Sequence, residues 1–377
     1  MDFTRFESSI RRAPLGLLGM ICLVVTLERS YFRNHPGLTN SQAASWSYAA
    51  RQATRDAKPS EILCFGDSLM KFGVLPPVLK AESGRSAYNL AMFAAPTPAS
   101  YFTLKKAINE GARPSAILFD AAAGLLLEGP ASAHRAYPWA DLIGFADAID
   151  LGWTSKDLSL MSHVMMGRLL HSYKCRHEIR SHILATLRGE VNHRSMELTV
   201  QERNWKVNQG AQAQAAMEFV EPSSVTQGLI ESNWRPNPVN RIYLRRFFEL
   251  ALTHKLPVYW YLPPYSPGEQ AQQDQRGEST RYEHFVRTIQ REYPKVVVID
   301  GRYSGFGHTE FFDHAHLNRD GGIASTQAIG RLLLDQQGRS NPRTWITLRK
   351  TEPGSFPIED STQSIAAVKQ ILSRLRR

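Results

Sequence analysis

Cysteine is scarce in this chain, which has three among its 377 residues. Cys22, Cys64 and Cys175 are too widely spaced for a metal clip and too few for a disulfide framework. Cys22 lies in an apolar run and Cys64 in a predicted strand, so we expect both to be buried, reduced thiols. Internal repeats and nucleic-acid-binding motifs are also lacking. No residue pattern indicates a cofactor, so we expect neither a cofactor nor a nucleic-acid partner.

Charged residues are sparse as well, at 21% of the chain, whereas 42% of the residues are hydrophobic. This composition predicts a packed core and excludes global disorder. The length suits one large domain or two modest ones. The formal net charge of +10 indicates attraction to anionic surfaces such as lipid headgroups, or else a basic and solvated surface.

A long hydrophobic run is missing too. Residues 13–27 are apolar and uncharged, but roughly 20 residues are needed to cross a bilayer. Arg5, Arg11 and Arg12 precede the run, a pattern typical of a secretory signal or a signal anchor. Because no A-x-A cleavage site follows, we expect an uncleaved anchor rather than a cleaved signal or a buried helix. The arginines predict a cytoplasmic N-terminus and an extracytoplasmic remainder in a single-pass cell-membrane protein that contacts lipid through this anchor.

Four parts follow from these patterns. We predict a cytoplasmic tip and anchor over residues 1–30, a polar stalk over 31–58 that is partly helical, an α/β domain over 59–335 and a polar tail over 336–377. Short apolar segments between predicted helices indicate a mostly parallel sheet covered on both faces. The predicted strands lie in residues 60–66, 86–92, 115–121, 256–262 and 295–300.

Residues 124–240 form a long connection between the third and fourth predicted strands, and most of it has a helical pattern. Connections of this length are commonly functional lids. The alternative is a helical layer that packs on the sheet and does no more.

The segment Gly66-Asp67-Ser68-Leu69 directly follows the first predicted strand. Gly66 permits a tight turn, and Ser68 would stand at the carboxyl end of the strand, where open α/β sheets bind ligands. A serine in this place can be a nucleophile. An Asp-Ser pair after a strand is also an ordinary helix N-cap.

Asp313 and His316 lie about 250 residues later and three residues apart, so one loop can supply both a base and the carboxylate that orients it. We expect Asp313 to accept from the Nδ1–H of His316 and Nε2 to lie within hydrogen-bond reach of Ser68. The competing interpretation is a metal site formed by Asp313, His314 and His316, with His308 as a further candidate ligand. We favour the triad because no other ligand set accompanies Ser68.

The strand–GDSL turn and the later D-x-x-H-L-N segment together resemble the SGNH/GDSL hydrolase superfamily over residues 59–335. The resemblance implies a three-layer αβα fold with a five-stranded flavodoxin-like sheet. It also implies that Ser68 is the nucleophile, completed by Asp313 and His316. Backbone amides of Ser68 and Ala91 would form the oxyanion hole, with Ala91 standing where the family usually has glycine.

One block departs from the family. The third block normally reads G-x-N-D and supplies an asparagine donor, but residues 119–124 here read FDAAAG. A similar departure occurs among membrane-anchored bacterial SGNH-like proteins that handle acyl groups on exported polysaccharides, including alginate O-acetylation proteins, and residues 84–114 also resemble that group. Asp120 ends the third strand and has either a functional or a capping role.

These features predict a serine esterase or O-acyltransferase that forms an acyl-serine at Ser68 and acts on an O-acylated glycan outside the cytoplasm, with O-acetyl as the expected acyl group. Two alternatives stay open: a lipid esterase held near its substrate, and a catalytically weak protein that binds a glycan or an assembly partner. Aromatic residues around the fourth strand are either core or a platform for a sugar ring. They are Tyr259, Trp260, Tyr261 and Tyr265.

Overall fold

The computed structural model describes residues 4–33, 39–130, 136–189, 194–218, 234–337 and 343–375. Its centre is one parallel sheet of six strands in the order β2-β1-β3-β4-β5-β6. The strands are β1 (Ile62–Phe65), β2 (Ala87–Asn89), β3 (Ala116–Phe119), β4 (Val258–Leu262), β5 (Val297–Asp300) and β6 (Trp345–Thr347).

Helices fill the connections. Those up to β4 are α1 (Thr4–Arg33), α2 (Ser41–Gln52), α3 (Ser68–Gly73), α4 (Pro76–Ser83), α5 (Thr97–Asn109), α6 (Ala123–Leu127), α7 (Ala136–Leu142), α8 (Phe145–Ser155), α9 (Leu158–Leu169), α10 (His171–Lys174), α11 (Arg176–Leu187), α12 (Arg194–Val207) and α13 (Pro238–Thr253). After β4 come α14 (Pro267–Gln275), α15 (Glu278–Glu292), the 3₁₀ turn His308–Glu310, α16 (Arg319–Gln336) and α17 (Ser361–Leu375).

The sheet has a helical layer on each face, which confirms the predicted α/β class and the parallel strands. On one face, Phe65 of β1 and Phe119 of β3 belong to a core that includes side chains of α5, α13 and α15, such as Phe247 of α13. On the other face, Cys64 of β1 belongs to a core that includes side chains of α3, α4 and α16, such as Ile329 of α16. Strands buried on both sides need apolar residues at every position, which is why five short apolar runs marked them in the sequence.

The sixth strand was not predicted, and it lies in the segment that we assigned to a polar tail. β6 pairs with β5 at the sheet edge, with Trp345 opposite Val298. The Arg287 guanidinium lies 3.9 Å from the centre of the Trp345 ring. An edge strand of three residues that is half-buried to exposed has no apolar run to reveal it.

The helix α1 contains the apolar run 13–27, but no helix in the described residues is long and apolar enough to cross a membrane. The predicted transmembrane segment is therefore not supported by the structure. Cys64 is a buried free thiol as expected, whereas Cys22 on α1 is exposed, because no described part of the chain covers this stretch of the helix.

Residues predicted to belong to a stalk form α2, which packs on α7. The Trp46 indole is fully buried, meets Trp139 edge to face with ring centroids 4.9 Å apart, and donates from Nε1 to Phe93 O at 2.9 Å. The insertion contributes α6 to α12, so α2 and the insertion share a second core. The many Ala, Ser and Gln residues of α2 concealed this burial, because small side chains give little hydrophobic signal.

Replacing Trp46 by Ala should lower the free energy of unfolding by about 3–5 kcal/mol, because it empties a packed site and removes the bond to Phe93. Trp153→Ala is the matched control, since that indole is 80% exposed, and it should stay within about 0.5 kcal/mol of the wild type. Urea unfolding of both variants measures the difference. Equal losses would show that α2 is not part of the core.

Candidate active site

A glycine turn brings Ser68 to the carboxyl edge of the sheet. Gly66 has a φ of +149°, and a Cβ there would lie 1.7 Å from Asp120 Oδ1, so only glycine fits. Asp67 is the N-cap of α3 and accepts from Leu69 N at 2.7 Å. Ser68 is the first residue of that helix. The capping interpretation of the Asp-Ser pair is therefore correct for Asp67 and leaves the Ser68 hydroxyl free for other contacts.

The three predicted triad residues lie together. His316 Nε2 is 2.8 Å from Ser68 Oγ, and Nδ1 is 2.8 Å from Asp313 Oδ2 and 3.0 Å from Oδ1. These distances match the expected order of hydroxyl, imidazole and carboxylate. The His316 side chain is 22% exposed and that of Asp313 is 34% exposed, so solvent reaches the site.

The loop that carries the pair is held by its own backbone. Asp313 Oδ1 also accepts from the amides of Ala315 and His316, at 2.8 and 2.7 Å. Burial alone would raise the pKa of Asp313, but the hydrogen bonds from the imidazole and the two amides outweigh burial and hold the pKa below its usual value. Asp313 is therefore a carboxylate at neutral pH and can orient the imidazole.

Two phenylalanines fix the plane of the imidazole. Phe312 stacks on His316 with centroids 5.5 Å apart and an angle of 14°, and Phe72 meets it edge-on at 5.2 Å. Neither was identified from the sequence. The Phe311-Phe312 pair before Asp313 was visible, but nothing in its pattern distinguishes a ring that orients a histidine from a core residue.

The predicted oxyanion donors differ in their availability. The Ser68 amide begins α3, where no intrahelical acceptor exists for it. The Ala91 amide instead donates to Asn89 Oδ1 at 3.0 Å, and the Asn89 side-chain amide donates to Met70 O and Val74 O. Ala91 can serve as a second donor only if this bond is exchanged, so its assignment stays a prediction.

Two buried carboxyl groups, those of Asp67 and Asp120, lie at the turn from Gly66 to Ser68. Asp67 and Asp120 are 1% and 2% exposed, and Asp120 Oδ1 accepts from Asp67 N at 2.9 Å. Burial raises the pKa of Asp67 to about 6, and burial together with repulsion from Asp67 raises the pKa of Asp120 well above its usual value. Burial therefore favours the protonated form of both groups, and Asp120 supports the turn through its bond to the Asp67 amide.

Lys71 ties the site to the insertion. Its side chain is fully buried, and Nζ donates to Ala91 O at 3.1 Å and to Gly210 O at 2.9 Å, with the Trp205 ring 4.8 Å away. Burial lowers its pKa to about 7. The sequence showed Lys71 only as an isolated charge in an apolar helix, and gave no sign of its partners.

Two other sequence-based hypotheses are an aromatic sugar platform around β4 and a metal site. Trp260 and Tyr261 are fully buried, and the Tyr261 hydroxyl lies 2.9 Å from Ser325 Oγ, so these two aromatics belong to the core. Within the described ranges, no cluster of three or more His, Cys, Asp or Glu side chains could hold a metal ion.

No family model matches this chain, and no curated protein matches it. Membership of the SGNH superfamily therefore stays a prediction, which rests on the two motifs and on the contacts between them.

Replacing Asp120 by Asn should stabilise the protein increasingly as the pH rises. Because the folded-state pKa values of both carboxyls are raised, their contribution to stability is present below about pH 4 and is lost as the pH rises through the raised values, which is about 6 for Asp67. Asn keeps an acceptor for the Asp67 amide but cannot ionise. We expect the variant to be about 1–3 kcal/mol more stable than the wild type at pH 8 and nearly equal at pH 4.5. Thermal unfolding across this range measures the difference.

Asp56→Asn is the matched control, because this carboxyl is exposed, and its curve should run parallel to that of the wild type. Parallel curves for Asp120→Asn would contradict the raised pKa of Asp120.

Proposed function

We propose that this protein is an SGNH-type serine esterase or O-acyltransferase that acts on O-acylated glycans outside the cytoplasm. The observation that carries the proposal is the hydrogen-bonded chain from Ser68 through His316 to Asp313, whose members are 248 and three residues apart in sequence. A nucleophile with a base in hydrogen-bond reach, and a third group that orients the base, is the arrangement that activates a serine for nucleophilic catalysis.

The chemistry begins when Ser68 Oγ attacks the ester carbonyl and its proton passes to His316 Nε2. The imidazolium is stabilised by the Asp313 carboxylate, and it returns the proton to the leaving alkoxide as the ester C–O bond breaks. An acyl-serine and an alcohol result. Water then attacks the acyl-serine in hydrolysis, or a sugar hydroxyl attacks it in transfer, and in both cases His316 takes the proton from the attacking oxygen and returns it to Ser68.

The glycan as substrate, the acetyl group and the extracytoplasmic location rest on the family resemblance and on the basic residues before the apolar run. Phe72 and Phe312 pack against the imidazole, and Phe72 stacks on Phe93 at 5.9 Å. Such aromatic surfaces suit the apolar face of a sugar ring as well as a small acyl group.

A second candidate is a catalytically weak glycan-binding protein. The observation that favours it is the engaged amide of Ala91, together with alanines where the family has an asparagine donor. Loss of one oxyanion donor costs about 2.7–4 kcal/mol of transition-state stabilisation, a hundredfold or more in rate. The two candidates differ in whether Ser68 becomes acylated.

Ser68→Ala should abolish labelling by a serine-reactive phosphonate and the release of p-nitrophenol from its acetate ester. His316→Ala and Asp313→Asn should each lower that release by about a hundredfold or more, because the hydroxyl loses its base or the base loses its orientation. Labelling and initial rates measure these effects.

Ser159→Ala is the matched control, since Ser159 Oγ lies 3.3 Å from His163 Nδ1 on the exposed face of α9 without an orienting carboxylate. It should label and turn over like the wild type. Phosphonate labelling that persists in Ser68→Ala would exclude Ser68 as the nucleophile.

Acetyl-Ser68 should accumulate when the wild type is mixed with p-nitrophenyl acetate, giving a burst of p-nitrophenol before a slow steady rate, because the incomplete oxyanion hole also slows deacylation. Intact-protein and peptide mass spectrometry locate the acetyl group. Addition of an oligosaccharide should speed its loss and yield an acetylated sugar if the protein is a transferase. A linear time course without acetylated Ser68 would favour the binding protein.

A further inference from the structure

An apolar stripe is exposed along α8, in the helical insertion. Phe145, Ile149 and Trp153 follow one another at intervals of four residues, so they lie on one face of the helix, and they are 46%, 51% and 80% exposed. Leu158, just beyond the turn after α8, is 65% exposed. Four large apolar side chains grouped in this way form a surface that soluble proteins ordinarily cover.

A second exposed stripe lies on α11, which joins α8 and α9 through the short helix α10. Ile183, Leu184 and Leu187 are 53%, 41% and 78% exposed, while Arg176 and Arg180 on the same helix are also exposed. A helix with an apolar stripe and a basic remainder is typical of a segment that lies in the plane of a membrane surface.

The charge of this region is one-sided. Residues 145–188 contain six Lys and Arg and four acidic residues. Asp147 and Asp150 on α8 are ion-paired with Lys105 and Arg246, and Lys174 is buried against Asp141. Asp157 caps α9 through Leu160 N at 2.8 Å, and Glu178 is buried and accepts from Asn40 Nδ2 at 2.9 Å. The charges presented to solvent are therefore mainly positive, and they complement an anionic surface.

The apolar helix α1 leaves the domain at the same group of helices. The Glu28 carboxylate accepts from Ser172 N at 3.0 Å and from the Ser172 hydroxyl, which fixes the end of α1 to α10. Leu15, Leu23 and Leu27 on α1 are 72%, 59% and 60% exposed. The uncovered apolar surfaces of α1, α8 and α11 thus belong to one connected set of helices.

We propose that α8 to α11 lie against the surface of a lipid bilayer that contains anionic lipids, with Trp153 and Leu158 inserted among the headgroups. A second copy of the chain is a poorer occupant, because it would bring two basic surfaces together. Anionic lipid satisfies both features at once: its acyl region accepts the apolar stripes, and its headgroups neutralise the arginines and lysines. The proposal does not depend on the catalytic assignment.

Trp153 gives a direct test in the full-length chain. Of the seven tryptophans, Trp153 alone is highly exposed, since five are buried and Trp345 is half-buried. We expect vesicles of phosphatidylglycerol and phosphatidylcholine with brominated acyl chains to quench the wild-type fluorescence. Most of this quenching should be lost in Trp153→Phe and kept in Trp345→Phe. The proposal would be overturned if the vesicle-bound wild type showed no quenching, or if the vesicle-bound wild type and Trp153→Phe were quenched to the same extent.

A second measurement separates this face from α1, which is intact in every variant. Ile149→Ser with Leu158→Ser should lower co-sedimentation with the same vesicles by about tenfold, because two inserted side chains are lost. Leu334→Ser, a change at a 53% exposed leucine on α16, should have no effect. Thermal unfolding without vesicles verifies that the variants fold.

Unchanged binding of the double variant would assign membrane contact to α1 alone and overturn the proposal. Self-association without vesicles that disappears in the double variant would assign the face to a second copy and overturn it equally. Binding that is lost on phosphatidylcholine alone, or at high salt, would support the anionic component, because screening weakens contacts between exposed charges.

Discussion

The parallel pairing of the strands is the constraint on which the site depends. β1 pairs with β2 on one side and with β3 on the other, so the turn after β1 lies between the turns of its neighbours. Because parallel strands end at one edge, Ser68 is brought beside Ala91 and Asp120, which follow β2 and β3. The loop after β5 then reaches back to the same edge with Asp313 and His316. Segments far apart in sequence therefore meet because all strands of the sheet run parallel and end at the same edge.

This dependence explains which features were predictable. Five strands were visible as apolar runs, and two motifs at strand ends were enough to predict contacts between Ser68 and His316. Other contacts left no local sign. The bonds from Lys71 Nζ to Gly210 O and from Asn89 N to Gln209 O join residues whose neighbours in sequence do not reveal them. Burial of α2 and pairing of β6 are likewise decided by distant partners, which override weak local preference.

The turn from Gly66 to Ser68 also shows how one packing requirement generates another. Asp120 occupies the space that a Cβ on residue 66 would need, so glycine there and the carboxyl from β3 fit only together. That close fit aligns the Asp67 amide and sets the start of α3, but it buries two acidic groups without a cationic partner. Burial and the repulsion between them raise the pKa of Asp120. The acidity of these groups is thus a consequence of how the turn is held, and not by itself a sign of acid catalysis.

Ala91 is the point at which stability and proposed chemistry oppose each other. Its amide is held by Asn89 and its carbonyl by Lys71, and Gln209 O accepts from Asn89 N at 2.9 Å. The peptide groups on both sides of Ala91 are therefore fixed by residues that also anchor the insertion. To release the amide toward a substrate oxygen, the Asn89 side chain must find another donor, such as water, or leave a buried acceptor unpaired at a cost of about 1–3 kcal/mol. In the proposed mechanism, the loss of this donor slows both the formation and the breakdown of the acyl-serine, whether water or a sugar hydroxyl attacks it.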